Sequence, residues 1–223
     1  MLLDARVLDA LLLSLWCATL AAAASLVLGV PLAWLLARTS FRGRGLVRAL
    51  VTVPLVLPPV VGGIALLLVL GRTGLVGRWL EEWWGFSLPF TTAGVVVAET
   101  FVAMPFLVLA VEGALRGADR RYEEVAATLG ASPWLAFRRI TLPIVAPGVL
   151  AGLVLAWARA LGEFGATITF AGNLPGTTQT MPLAIYLRRS SDPDAALVLS
   201  LLLLAVSLTV LAGLRGRWAV GQR

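Results

Sequence analysis

The chain has 223 residues, 59% of them hydrophobic, and a mean hydropathy of +0.92, which excludes an ordinary water-soluble globular protein. Its net charge of +6 rests on 18 basic residues, all Arg, and these sit between long apolar runs, as in membrane topology rather than a nucleic-acid surface. With no Lys the chain cannot make a P-loop, and its one cysteine, Cys17, leaves no internal disulfide and argues against a metal cluster.

Residues 10–37 carry no charge and suffice for a first membrane span. The flank before them holds two Asp and one Arg, a poor match to the basic start of a signal peptide, so a retained helix is expected. Arg38, Arg42, Arg44 and Arg48 follow. Residues 49–71 form a second expected span, but Pro54, Pro58, Pro59, Gly62 and Gly63 forbid a straight helix. Pro58 and Pro59 belong either to a kinked packing helix or to the lining of a pathway, where broken backbone persists at membrane depth. Residues 72–91 read as a loop, with Trp79, Trp83 and Trp84 at the membrane boundary.

The third span is placed at 92–111, with Pro105 as a kink and Glu99 inside it. An intramembrane carboxyl faces the bundle interior or water; Glu99 is either satisfied by a neighbour or part of the pathway. The polar stretch 119–143 then interrupts the apolar sequence. Asp119 suits a helix cap, Glu123 and Glu124 the opening turns, and Tyr122, Val125, Ala126 and Leu129 an apolar stripe. Gly130 suits the left-handed position that ends a helix, and Ser132-Pro133 the cap and first position of the next. This is helix, turn, helix, presented to water for something to dock on.

A fourth span is expected at 144–162, introduced by an interfacial elbow at 140–143. Arg159 and Glu163 lie four apart on one face, where they either tie to each other or leave Arg159 to offset an anion. Residues 164–187 are uncharged but hold Gly172, Asn173, Pro175, Thr178, Gln179 and Thr180, so they read as a loop or re-entrant segment, not a span. Their backbone amides and hydroxyls are candidate donors to an oxyanion. The last span, 195–214, precedes Arg215, Arg217 and Arg223.

Five spans place twelve arginines on one side and five on the other, with Arg159 near a helix end. The positive-inside rule then puts the N-terminus outside, the C-terminus in the cytoplasm, and residues 119–143 in the cytoplasm. The expectation is an all-α membrane protein, a polytopic helical bundle of about five transmembrane helices forming one domain over 1–223.

Within the polar stretch, Glu124, Ala126, Gly130, Ile140, Leu142 and Pro143 fill the pattern Glu-x-Ala-x-x-x-Gly, nine residues, Ile-x-Leu-Pro, with Val125 where Ala is usual. This resembles the cytoplasmic signature of bacterial ABC importer permeases and implies the type I importer fold. It also implies that Glu123, Glu124, Ala126, Ala127, Gly130, Ile140, Leu142 and Pro143 belong to coupling helices seated in a cleft of an ATPase subunit. The Ala-Arg-Ala-x-Gly-Glu-Phe-Gly core at 158–165, the run 172–183 and Pro54 to Val61 are similar to the tetrahedral-oxyanion branch, and to its molybdate members more than to its sulfate ones.

The resemblance implies a bacterial plasma membrane (inner membrane) protein moving molybdate inward by alternating access. It implies a homodimer, two copies of a cytoplasmic ABC ATPase, an external or periplasmic molybdate-binding protein and surrounding membrane lipid, with no nucleic acid. No cofactor is expected on this chain, because ATP and Mg would sit on the ATPase. No catalytic residues are expected either. Pathway or gate candidates are Pro58, Pro59, Glu99, Arg159, Glu163, Gly172, Asn173, Pro175, Thr178, Gln179 and Thr180. Sulfate or tungstate is the nearest alternative; a passive channel or an integral membrane enzyme is an alternative of another class.

Overall fold

The computed structural model describes the backbone of residues 5–220 and the side chains of residues 6–213; the side chains of Arg215, Arg217 and Arg223, used above for charge bias, lie outside the described residues. All described elements are helical: α1 Ala5–Arg38, α2 Arg44–Val56, α3 Pro59–Leu70, α4 Gly77–Trp84, α5 Thr92–Gly117 and α6 Arg121–Thr128 come first. They are followed by α7 Pro133–Ala136, a π-helical stretch Phe137–Thr141, α8 Leu142–Leu161, α9 Gly165–Phe170, α10 Met181–Ser191 and α11 Pro193–Val220.

Four helices among the described residues are long and apolar enough to cross a membrane: Arg6–Arg38, Thr92–Gly117, Pro133–Leu161 and Pro193–Gly213. The expected second span is realised as α2 and α3, broken at Leu57 (φ −68°, ψ 134°) and Pro58. Pro58 cannot donate to α2 and forces Leu57 out of the helical region, and Pro59 does the same to Pro58 while opening α3 at its first position. At about 1.5 Å per residue, the 12 residues of α3 fall short of a hydrocarbon core. The expected elbow before the fourth span is absent, since α7, the π stretch and α8 form one continuous helix of 29 residues. Pro143 near the start of α8 breaks nothing there, because the wider π turn ahead of it re-registers the hydrogen bonds.

The bundle is built around α1, α5 and α8, which pack most extensively on one another. Their shared core holds Ala21, Ala33 and Leu36 from α1, Leu107, Val108 and Val111 from α5, and Val149, Ala156 and Ala160 from α8. Alanines are frequent in it because no hydrophobic force drives helices together in lipid, so backbones must approach closely to gain dispersion contacts. Gly152 shows the fit: a Cβ there would lie 3.2 Å from the Leu107 backbone. Residues 164–187, expected as a loop or re-entrant segment and not a span, hold two short helices. They form α9, a turn and α10, with α9 on α3 and α5, and α10 on α11 and α1.

Candidate functional site

One end of the bundle carries the polar stretch. Asp119 accepts from the Arg121 amide at 2.9 Å just before α6. At the other end of α6, Gly130 sits at φ +83°, with its amide bonded to the Ala127 carbonyl and the Ala131 amide to the Ala126 carbonyl, both at 3.0 Å. That pair of bonds is the closing motif that needs a left-handed residue, which glycine adopts without a Cβ penalty. Ser132 caps α7 by accepting from the Leu135 amide, with Pro133 at the first position. The two short helices are therefore held at a fixed angle by backbone geometry.

The apolar stripe faces outward. Leu129 is 82% exposed, Trp134 68%, and Tyr122 and Val125 are also exposed; only Ala126 is buried against the bundle. An apolar patch of this kind on a polar knob marks an interaction surface, for a protein partner or for lipid. Glu124 is exposed beside it, whereas Glu123 turns inward. Its Oε1 accepts from the Thr141 hydroxyl at 2.9 Å and lies 3.0 Å from Arg38 Nη2. Glu123 thus ties α6 to the π stretch and to the end of α1. Ile140, Leu142 and Pro143 lie in and just after that π stretch, on the same continuous helix.

Further bonds fasten this end. Arg120 donates to the Ala37 and Arg38 carbonyls, and Arg38 to the Ala118 carbonyl. Glu112, buried, bridges Arg48 and Arg116. Thus an ion pair joins α6 to α1, a hydrogen bond joins it to the π stretch, and Glu112 joins α2 to α5.

The opposite end gathers the pathway candidates. Glu163 is 1% exposed; its Oε2 lies 2.6 Å from Arg159 Nη1 and its Oε1 accepts from the Ala166 amide at 2.8 Å. Arg159 is therefore tied to Glu163, and Glu163 secures the first turn of α9. Pro59 lies against Gly165, where a Cβ would come 2.8 Å from the proline ring. Gly63 faces α9 even more closely, since a Cβ there would overlap the Thr169 hydroxyl and lie 2.8 Å from the Ala166 carbonyl oxygen. At Gly63 of α3 and Gly165 of α9 the two helices cross almost backbone to backbone. Glu99, 1% exposed, lies within electrostatic reach of Glu163, and its Oε2 has no hydrogen-bond partner.

The turn between α9 and α10 narrows one expectation. Several of its amides are used within the protein: those of Thr177, Thr178 and Gln179 all bond the Leu174 carbonyl, and that of Thr180 bonds Thr178. The Thr178 hydroxyl accepts from the Leu174 amide, and Gln179 donates to Asn173 at 3.0 Å. Gly172 takes φ +76° where the turn begins, and Pro175 is exposed at its tip. Among these candidates, Thr180 keeps a buried hydroxyl without a partner, as does Thr167 of α9, which sequence reasoning missed. Ser14 of α1 was missed too; it accepts from the Met181 amide at 2.7 Å and fixes the start of α10. Nothing local in the sequence marks a contact spanning 167 positions.

Residues 29–218 match the family described as binding-protein-dependent transport system inner membrane component. The chain belongs to that family. It is a transport permease of the inner membrane, built to work with a binding protein and an ATPase partner. Among its relatives, the molybdenum transport system permease protein ModB of Mycobacterium tuberculosis is 55% identical, over 95% of this chain and 80% of the relative. That of Escherichia coli K12 is 42% identical over 94% and 92%. A sulfate transport system permease protein CysT from Escherichia coli K12 is 37% identical over 88% and 73%. In fold, the permease resembles a bacterial ABC transporter involved in the import of the acidic polysaccharide alginate, with a TM-score of 0.75, 19% identity, and coverage of 96% of this chain and 79% of that one.

Proposed function

We propose that the permease carries molybdate inward, as a homodimer served by two ATPase subunits and an external or periplasmic molybdate-binding protein. The observation that supports this most is the 55% and 42% identity, over nearly the whole chain, to permeases named for molybdenum. The 37% identical sulfate permease keeps sulfate as the rival substrate.

In this reading α6, the Gly130 turn and α7 are the coupling knob. Tyr122, Val125, Leu129 and Trp134 seat in the ATPase, and closure of the two ATPase subunits pushes α6. The Glu123 ties carry that push to α1 and α8, so the α3–α9 crossing at the far end opens or shuts. Arginine bias supports placing the knob in the cytoplasm and the N-terminus outside. The chain binds no cofactor of its own in this scheme, and ATP and Mg belong to the ATPase.

The experiment is whole-cell accumulation of labelled molybdate with ATPase and binding protein co-expressed. Uptake that survives excess sulfate supports molybdate. A signal lost to sulfate assigns the sulfate branch, and accumulation without ATPase would overturn the scheme.

A further inference from the structure

An open cleft of about 830 Å3 lies where α1 ends, α2 begins and α5 ends. Arg38, Arg44, Arg48, Arg116 and Arg120 line it, with Asp119 as the lining carboxylate. Two more carboxylates reach these arginines, Glu112 between Arg48 and Arg116, and Glu123 on Arg38. Five guanidiniums thus meet three carboxylates, leaving two positive charges in one concavity.

The charges are not equally committed. Arg38 and Arg120 are spent on Glu123 and on backbone carbonyls. Arg44 has no ion pair among the described residues, and its buried Nε has no hydrogen-bond partner. It is the first residue of α2, a 13-residue helix whose N-cap, Gly43, supplies no side-chain bond. The Arg44 amide bonds the Phe41 carbonyl, and the next amides of that first turn add their partial positive charge to the same spot. Just beyond Arg44, the outer face of α2 exposes Leu46 (65%) and Leu50 (62%). A guanidinium-lined cleft bordered by exposed leucines matches an oxyanion with hydrocarbon attached below it.

We propose that this cleft binds a phosphate-type oxyanion, with the headgroup of an anionic phospholipid as its carrier. Arg44 is the uncommitted ligand, Arg48 and Arg116 flank it, and the acyl chains run along Leu46 and Leu50. The inference needs only the fold, not the choice of molybdate as cargo. It gives the bilayer a contact with the knob, because Arg38 borders the cleft and also holds Glu123.

The test uses the complete permease–ATPase complex, equilibrated in detergent with equal phosphatidylglycerol and phosphatidylcholine, and co-purified lipid is counted by mass spectrometry. The wild type is expected to retain phosphatidylglycerol preferentially. Arg44→Ala should lower that retention by about fivefold, the scale of one arginine at an anionic surface, with phosphatidylcholine unchanged. Arg44→Lys should keep most of it, and an unchanged melting profile for both variants excludes misfolding as the cause. In a second arm, labelled inorganic phosphate is dialysed against the delipidated complex. Phosphate binding that disappears in Arg44→Ala, without lipid preference, supports the oxyanion site but makes its carrier soluble. Equal lipid retention in Arg44→Ala together with no Arg44-sensitive phosphate binding overturns the proposal.

Discussion

The two ends of the bundle solve opposite problems with the same few residue types. At the knob, large apolar side chains point out while Glu123 points in: Leu129 and Trp134 are exposed, and Glu123 bonds Thr141 and Arg38. At the α9–α10 end, polar groups are folded into the protein, with Glu99, Glu163, Thr167, Thr178 and Thr180 all buried. A surface awaiting a partner leaves apolar area uncovered. A segment closed against water must instead satisfy its own backbone, as the Leu174 carbonyl does for three amides.

If that contrast holds, the largest effect should come from charging the knob. Leu129→Asp puts a carboxylate at its most exposed apolar position without disturbing any bond described here. Molybdate uptake should fall at least about tenfold, with permease abundance in the membrane unchanged, because apolar anchors dominate such interfaces. Uptake within twofold of wild type would show that the patch faces lipid instead.

The corresponding break at the other end is Glu163→Ala. It strands Arg159 and the Ala166 amide together, and removing one partner of a buried ion pair costs about 2 to 4 kcal/mol, toward the lower end here because Arg159 is 29% exposed. The detergent-solubilised complex should melt earlier, and Glu163→Gln, which keeps an acceptor for the Ala166 amide, should recover part of the loss. Equal melting of both variants with wild type would mean the pair carries no structural load.

How much of this was legible follows from the range of each interaction. Gly130, Ser132 and Pro133 could be placed from sequence because a helix end is decided within four residues. The break at Leu57–Pro58 was legible for the same reason, although the expected single span became α2 and α3. The inward turn of Glu123 was not, since Thr141 lies 18 positions away and nothing in the spacing separates Glu123 from Glu124. Nor was the α3–α9 crossing. Gly63 and Gly165 read as helix breakers when taken one at a time, and only the fold shows that each makes room for the other helix's backbone or proline ring. The turn at 172–180 was read by composition as a donor set, and what composition did not show is that the amides of Thr177 to Thr180 are used by the turn itself.

The crossing sharpens the comparison with a smaller effect. Gly63→Ala drives a methyl into the Thr169 hydroxyl and to 2.8 Å from the Ala166 carbonyl oxygen, so Thr169 must move and α3 and α9 must separate, at about 1 to 3 kcal/mol. The expected signature is lower stability together with molybdate leak in the absence of ATP, since the gate would no longer close. A destabilised but leak-free Gly63→Ala would make the crossing simple packing.

The smallest expected effect separates a structural turn from a binding one. Gln179 donates to Asn173 at 3.0 Å, both side chains partly buried, so Gln179→Ala should cost only about 0.5 to 1.5 kcal/mol, the net worth of one neutral hydrogen bond. If the turn merely closes the outer end, uptake at saturating molybdate should stay within about twofold of wild type. Were Gln179 instead to touch the passing anion, stability would hold while uptake fell and its concentration dependence shifted. Measuring melting temperature and uptake on the same preparation distinguishes these outcomes. The geometry favours the first, because the Gln179 amide nitrogen and the hydroxyl of Thr178 are already engaged within the turn, leaving Thr180 as its buried hydroxyl without a partner.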